Sequence, residues 1–125
     1  MNILLDTHVL LWWLDDNPVL SNKARVPISD GSNLIFVSAA VIWEIRIKQS
    51  LGKLDIPPNF RQVLEQQPFE LLAITTEHAH AVGALPTIHR DPFDRMLIAQ
   101  AISEGFTILT RDPLFKEYKV PLIQA

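Results

Sequence analysis

The chain has 125 residues, 48% of them hydrophobic, and a formal net charge of −3 at pH 7. This length fits one compact domain over residues 1–125, and the hydrophobic content is sufficient for a core and argues against intrinsic disorder. The absence of cysteine excludes disulfide bonds and thiolate metal sites, and the acidic balance argues against a strong non-specific DNA binder.

The first half of the chain alternates short apolar runs with segments of helical periodicity. The run NILL predicts a buried strand that ends at Asp6, and THVLLWWLDDN predicts a helix that ends before Pro18. A shorter helix over residues 22–30 follows. LIFV then predicts a second buried strand, and Ser38 caps a helix, AAVIWEIRIKQS, which ends near Gly52.

The second half of the chain continues this alternation. A helix opens at Pro57-Pro58, ELLAI predicts a third strand, and Thr76 caps the helical segment EHAHAVGAL. Asp91 and Pro92 begin a long helix. FTILT and PLIQ predict a fourth and a fifth strand, separated by the helical turn DPLFKEY. Apolar strands between helices indicate a parallel sheet with both faces covered.

Two features of the chain bear on its localisation. The N-terminal segment lacks the basic residues of a signal peptide and reaches an acid at Asp6. The longest uncharged run, residues 31–43, is shorter than the roughly 20 residues that a membrane-spanning helix needs. We therefore expect a cytoplasmic protein with no membrane partner.

Two aspartates directly follow predicted strands. Asp6 ends the first strand, and Asp112 comes just after the fourth, in ILTRD. Binding sites of parallel α/β sheets lie at the carboxyl ends of the strands, so we expect both side chains at such a site. Aspartate is also a favoured helix cap, and capping alone would explain either residue.

The segment HRDPFDRMLIAQA places two more aspartates at the start of a helix. Asp91 precedes a proline, which is typical of a helix N-cap, and we interpret this residue mainly as a cap. Asp94 instead shares a helix face with Leu97, Ile98 and Ala101. This apolar face should point toward the sheet, which favours a site role for Asp94.

Glu44 interrupts the apolar helical segment AAVIWEI. Most of its neighbours three and four positions away are apolar, and a buried carboxylate without a partner is rare. We therefore interpret Glu44 as a site residue. The alternative is a salt bridge to Lys48 on a solvent-facing side of the helix.

Four acidic residues are thus expected at strand ends or on helices beside them: Asp6, Glu44, Asp94 and Asp112. They could not stay together ionised without cations, because two unit charges about 4 Å apart cost roughly 4 kcal/mol at an effective dielectric constant of about 20. Oxygen ligands suit Mg²⁺ or Mn²⁺ rather than zinc. Carboxylate clusters that hold such ions are a general solution for phosphodiester hydrolysis.

These segments resemble those of the PIN-domain ribonucleases, in particular the VapC-type toxins of type II toxin–antitoxin pairs. The matching segments are LLDTHVLLWWL, VSAAVIWEIRIKQSLGKL, HRDPFDRMLIAQA and ILTRDPLFKEYKV, which together span nearly the whole chain. The family's acidic quartet falls on Asp6, Glu44, Asp94 and Asp112. The resemblance implies that these four residues are catalytic and hold Mg²⁺ or Mn²⁺.

The resemblance has further implications. It implies a Rossmann-like three-layer α/β/α fold with a central parallel sheet, a homodimer, an antitoxin that occludes the site, and cleavage of structured RNA such as tRNA. Thr7 and Thr110 match small polar residues at the family's site edge, although a helix start or a strand end would explain both hydroxyls. Arg95 and Arg111 lie near quartet members and could contact RNA phosphates, although a solvated surface would explain them too.

Two other function classes are alternatives to the nuclease. A non-catalytic PIN-like protein-binding module would share the fold but would have no use for four repelling carboxylates. A receiver-type phosphorylated domain is disfavoured, because ELLAITT carries no aspartate after the third strand. The histidines lack the spacing of a zinc site, and packing or surface roles are the better interpretation of His8, His78 and His89. His8 and His89 lie near acids, so contact with substrate is the alternative for these two.

Overall fold

Five parallel strands form the centre of the structure, a computed structural model that describes residues 1–125. The strands are β1 (Asn2–Leu5), β2 (Leu34–Ser38), β3 (Glu70–Leu72), β4 (Thr107–Thr110) and β5 (Leu122–Gln124). Their order in the sheet is β3-β2-β1-β4-β5, and every neighbouring pair is parallel. The first three strands therefore lie side by side in one direction from β1, and the chain then crosses back to place β4 on the other side of β1. The strand order reverses at this point, so the carboxyl ends of β1 and β4 form the topological switch point.

Helices cover the two faces of this sheet and complete an α/β three-layer architecture. They are α1 (Thr7–Leu14), α2 (Asn22–Ser29), α3 (Ala39–Ser50), α4 (Phe60–Glu65), α5 (Thr76–Val82) and α6 (Pro92–Glu104), with a 3₁₀ turn at Pro113–Glu117. The predicted parallel sheet and the alternation of strands and helices are confirmed. No helix has the length and apolar character needed to cross a membrane.

The core lies around the two central strands. Ile3, Leu4 and Leu5 of β1 and Ile108 and Leu109 of β4 have no exposed surface. Both strands are buried on both faces, which is why their sequences are continuous apolar runs without alternation. A rigid, fully packed pair of strands fixes the positions of the residues that follow them, Asp6 and Asp112 among them.

Several helix and strand ends differ from the sequence-based expectation. Helix α1 ends at Leu14, earlier than expected, and Asp16 after it has a positive φ of 48°. Thr75, not Thr76, caps α5, because its hydroxyl accepts from the backbone N–H of His78 and the His78 ring accepts from the Thr75 N–H. Helix α4 begins only at Phe60, two residues after the second proline. None of these differences moves a residue of the acidic quartet.

Candidate active site

A polar cleft of about 380 Å³ opens at the carboxyl ends of β1 and β4. Only one of the residues that line it is hydrophobic. The lining residues are Asp6, Thr7, His8, Trp12, Glu44, Lys48, Asp91, Asp94, Arg111 and Asp112. The structure thus brings together all four acidic residues of the quartet, from four separate segments of the chain.

Asp6 is both a helix cap and a cleft residue. Its Oδ1 accepts a hydrogen bond from the backbone N–H of Val9 at 2.9 Å, which caps α1, and its Oδ2 accepts one from the Thr110 hydroxyl. Thr110 in turn accepts from the backbone N–H of Asp112 at 3.0 Å, so one hydroxyl connects two members of the quartet. Burial raises the pKa of Asp6 even though both hydrogen bonds favour its charged form.

Glu44 projects from α3 into the cleft and is only 4% exposed. Its Oε1 accepts a hydrogen bond from the Thr7 hydroxyl, and its Oε2 lies 2.6 Å from the Lys48 ammonium. The salt bridge to Lys48 is therefore present, but on the buried, cleft-facing side of the helix and not on a solvent-facing side. The hydrogen bond to Glu44 raises the pKa of Lys48.

Asp91 caps α6, as its sequence context predicts. Its Oδ1 accepts from the backbone N–H groups of Phe93 at 2.8 Å and Asp94 at 3.2 Å. It also lines the cleft, so its charge acts on the quartet. Burial, followed by the repulsion from Asp91, raises the pKa of Asp94 to about 7, and Glu44 and Asp112 add to that repulsion. Convergence of the acids therefore carries an electrostatic cost.

His89, for which the sequence favoured a packing role over a contact with substrate, lies beside two quartet carboxylates. It is 6% exposed, its Nε2 lies 2.9 Å from Asp112 Oδ2, and the same nitrogen lies 4.0 Å from Asp94 Oδ2. The interpretation of His89 as a packing residue was therefore incomplete. The available signal was its place in HRDPFDR, two residues before Asp91.

The two threonines and the two arginines of the predicted site edge differ in their positions. Thr7 lines the cleft, and Thr110 lies buried behind it, with their hydroxyls bound to quartet carboxylates. Arg111 lines the cleft, where its guanidinium stacks 4.6 Å from the Trp12 ring and donates to the main-chain oxygens of Val19 and Ala125. Arg95, also predicted at the site edge, does not line the cleft. Its guanidinium instead binds the carbonyls of Pro86 and Val82 at 2.9 and 3.1 Å, and so anchors α6 to the end of α5 and the loop after it.

The donor set of this cleft fits a divalent cation. His89 Nε2 and one carboxylate oxygen each of Asp94 and Asp112 lie within 4.8 Å of one another. Carboxylate oxygens predominate, which is the preference of Mg²⁺ and Mn²⁺. Burial is the main cause of the raised pKa of both Asp6 and Asp94, and repulsion from neighbouring acids adds to it, most clearly at Asp94.

The raised pKa of Asp94 predicts how the stability of the metal-free protein depends on pH. The folded state holds the Asp94 proton up to about pH 7, whereas the ordinary value for the unfolded chain is 3.8. The Asp94 contribution to the unfolding free energy therefore falls as pH rises from about 4 to about 7. Asp94→Asn should raise the unfolding free energy of the metal-free protein at pH 8 by on the order of 1–2 kcal/mol, after allowance for solvent screening. At pH 4 the same substitution should change the unfolding free energy little.

Urea titrations of both proteins in EDTA at these two pH values check this expectation. An Asp94→Asn variant that is less stable than the wild-type protein at pH 8 would contradict it.

Comparison with known proteins identifies the family of the chain. Ribonuclease VapC22 of Mycobacterium tuberculosis is 32% identical over 124 residues, which cover 95% of this chain and 93% of that protein. VapBC2 from Rickettsia felis, solved with a DNA fragment from its promoter, contains a chain with a TM-score of 0.76 at 18% identity, with 100% of this chain and 99% of that chain covered.

VapBC-5 of M. tuberculosis, a member of the VapBC family of toxin–antitoxin systems, has a chain with a TM-score of 0.62 at 16% identity over 99% of this chain and 98% of that chain. At these low identities the two solved structures support the fold alone. A PIN domain model matches residues 3–121, nearly the whole sequence. Together with the identity to VapC22, this match shows that the chain belongs to the PIN domain family.

Proposed function

We propose that this protein is a metal-dependent endoribonuclease that hydrolyses RNA phosphodiester bonds. The observation that carries the proposal is the convergence of Asp6, Glu44, Asp94 and Asp112 in one polar cleft at the switch point of the sheet. A protein gains no stability from gathering these acids, and the raised pKa of Asp94 reflects the cost. With a bound cation, the same four carboxylates would form a catalytic site.

The four quartet carboxylates would hold Mg²⁺ or Mn²⁺. A divalent ion in such a site lowers the pKa of a bound water and stabilises negative charge on the phosphate. The threonines orient the ligands, since Thr7 donates to Glu44 and Thr110 donates to Asp6. Attack of water on phosphorus would leave a 5′-phosphate and a 3′-hydroxyl.

Two cations at the cleft would bind the RNA backbone. The ammonium of Lys48 and the guanidinium of Arg111 both line it. Arg111 is held in place by two main-chain oxygens and by Trp12, whereas Lys48 is held only by Glu44 and is 37% exposed. Such contacts position a phosphate without reading base sequence, so RNA binding should weaken as salt concentration rises.

The biological role that fits best is that of the toxin in a type II toxin–antitoxin pair. The 32% identical relative is named a ribonuclease, and VapBC complexes contain chains of the same fold. We propose structured RNA such as tRNA as the substrate, a homodimer as the active form, the cytoplasm as the location and a cognate antitoxin as the protein partner.

An apolar groove beside the cleft would accept a segment of the antitoxin. It measures about 520 Å³, and its walls are formed mainly by α1, by the loop around Ile56 and by the start of α4. His8 and Trp12 border both the groove and the cleft, so a chain bound in the groove could reach the carboxylates. A basic residue on such a segment would be attracted by the acids and would block the metal site.

A Mn²⁺ titration separates the nuclease from a non-catalytic protein-binding module. Isothermal calorimetry of the wild-type protein should show saturable binding, and the affinity should fall as pH is lowered from 8 to 6, because Asp94 must lose its proton. Asp94→Asn should weaken binding by about 10-fold or more, whereas Asp55→Asn, the same change at an exposed position outside the cleft, should not alter it. No detectable binding by the wild-type protein would favour the module.

A further inference from the structure

The buried imidazole of His89 is connected to a second buried polar side chain. The hydroxyl of Tyr118 accepts a hydrogen bond from the backbone N–H of His89 at 3.0 Å and lies 3.0 Å from the Nδ1 of the same residue. The two rings stack with centroids 5.4 Å apart, and Phe115 packs edge-on against the imidazole at 4.9 Å. Tyr118 is 5% exposed, so its hydroxyl has no ready access to water.

These contacts determine which nitrogen of His89 carries the proton. A phenol has one proton to donate, and the backbone N–H of His89 already occupies an acceptor position of the Tyr118 oxygen. If Nδ1 also donated to this oxygen, the phenolic proton would be buried without an acceptor, which is unfavourable. The hydroxyl therefore donates to Nδ1, and the imidazole proton lies on Nε2.

The opposite side of the ring leads to the same assignment. His89 Nε2 lies 2.9 Å from Asp112 Oδ2, and a lone pair on this nitrogen would face a carboxylate oxygen with no proton between them. With the proton on Nε2, the nitrogen donates to Asp112. The other oxygen of Asp112, Oδ1, accepts from the backbone N–H of Leu114 at 2.9 Å, so both carboxylate oxygens are held by donors.

We propose that Tyr118 and His89 are positioning residues that fix the orientation of the Asp112 carboxylate. Tyr118 holds His89 in the Nε2–H tautomer, and the Nε2–H of His89 holds Asp112. This inference rests on the proposed function, because it concerns a carboxylate assigned to the metal. In this arrangement His89 donates a hydrogen bond to a metal ligand. The distances from His89 to Asp94 and Asp112 would also suit direct coordination of the ion by His89.

Nitrogen-15 NMR of the histidine rings tests the tautomer directly. In metal-free protein at about pH 8.5, where a free imidazole is unprotonated, His89 Nδ1 should show the chemical shift of an unprotonated nitrogen and Nε2 that of a protonated one. The reverse pattern would overturn the proposal. On addition of diamagnetic Mg²⁺ the Nε2 proton should remain, whereas its loss would mean that His89 binds the ion itself.

Three variants test whether the pair positions Asp112. Tyr118→Phe removes only the hydroxyl, so the fraction of the Nδ1–H tautomer of His89 should rise, although Asp112 still favours Nε2–H. In His89→Gln the side-chain amide can replace the Nε2–H donor, whereas in His89→Asn it replaces Nδ1. We expect Mn²⁺ to bind His89→Asn about 10–100-fold more weakly than wild type and His89→Gln within about 3-fold of it. Equal weakening in both histidine variants, or an unchanged tautomer in Tyr118→Phe, would contradict the proposal.

His78 serves as an internal control in the same spectra. It is also buried, its Nδ1 accepts from the backbone N–H of Thr75 at 3.1 Å, and its Nε2 lies 2.8 Å from Glu104. The ring signals of His78 should be the same in wild type and Tyr118→Phe. This result would show that the substitution leaves the fold intact. None of these measurements uses RNA. A protein with the Nε2–H tautomer that cuts no RNA would contradict the proposed function and leave this inference standing.

Discussion

Replacing Asp94 with asparagine should reduce RNA cleavage by about a thousandfold or more, while the protein stays folded. The amide keeps the size of the side chain but removes the charge that would bind the ion. Asp94 is also the carboxylate whose pKa is raised to about 7 by burial and by its acidic neighbours. The variant should therefore combine loss of cleavage with higher stability of the metal-free protein at pH 8.

The matched control for this prediction is Asp55→Asn, which makes the same change in charge at an exposed residue outside the cleft. It should cut RNA at the wild-type rate. Initial rates on a labelled RNA at saturating Mg²⁺ make the comparison. If Asp94→Asn retained the wild-type rate, Asp94 would have no role in the chemistry. An equal loss of activity in both variants would contradict the expected specificity for the cleft.

Replacing Lys48 with methionine should lower the unfolding free energy of the metal-free protein by about 2 kcal/mol. Glu44 is 4% exposed, and without Lys48 its charge would keep only the Thr7 hydroxyl as a partner. The expected loss is smaller than for a fully buried pair, because the Lys48 side chain is 37% exposed and solvent screens it. Mn²⁺ should restore the stability, since it would replace the missing positive charge beside Glu44.

The pair formed by Arg61 and Glu65 provides the control for this effect. It has the same spacing of four residues on a helix, but its side chains are 82% and 54% exposed. Arg61→Met should not change the stability measurably. Urea denaturation in EDTA and in Mn²⁺ compares the three proteins. Equal stability of Lys48→Met and wild type in EDTA would show that Lys48 does not stabilise Glu44.

The sheet and the position of the acids could be predicted from sequence because their causes are local. Apolar runs such as NILL and FTILT indicate strands buried on both faces. Asp6 follows β1 directly, and Asp112 follows β4 after one intervening residue. Glu44 could be identified because a carboxylate in an apolar helical segment is rare unless it has a partner. For Asp6 and Asp91 the two interpretations, cap and site residue, both apply, because one carboxylate oxygen accepts the capping hydrogen bonds while the residue lines the cleft.

What sequence reasoning missed depends on contacts between distant segments. His89 contacts Asp112 and Tyr118 across more than 20 residues, and its place beside Asp91 in the sequence does not identify these two partners. Arg95 follows Asp94 directly, yet its long side chain extends to carbonyls at the end of α5 and just beyond it. The sequence therefore predicted well which residues share a helix face, and it predicted poorly where long side chains extend.

Cleavage of RNA by the purified, antitoxin-free protein is the most direct test of the central claim, that the acidic cleft is a metal-dependent ribonuclease site. Total cellular RNA would be incubated with the protein in Mg²⁺ or Mn²⁺, in EDTA, and in EDTA followed by excess Mn²⁺. We predict discrete fragments that carry 5′-phosphates and 3′-hydroxyls, disappear in EDTA and return when the metal is restored. Fragments that persist in EDTA would contradict a metal-dependent mechanism, and intact RNA under all conditions, structured RNA included, would contradict the nuclease.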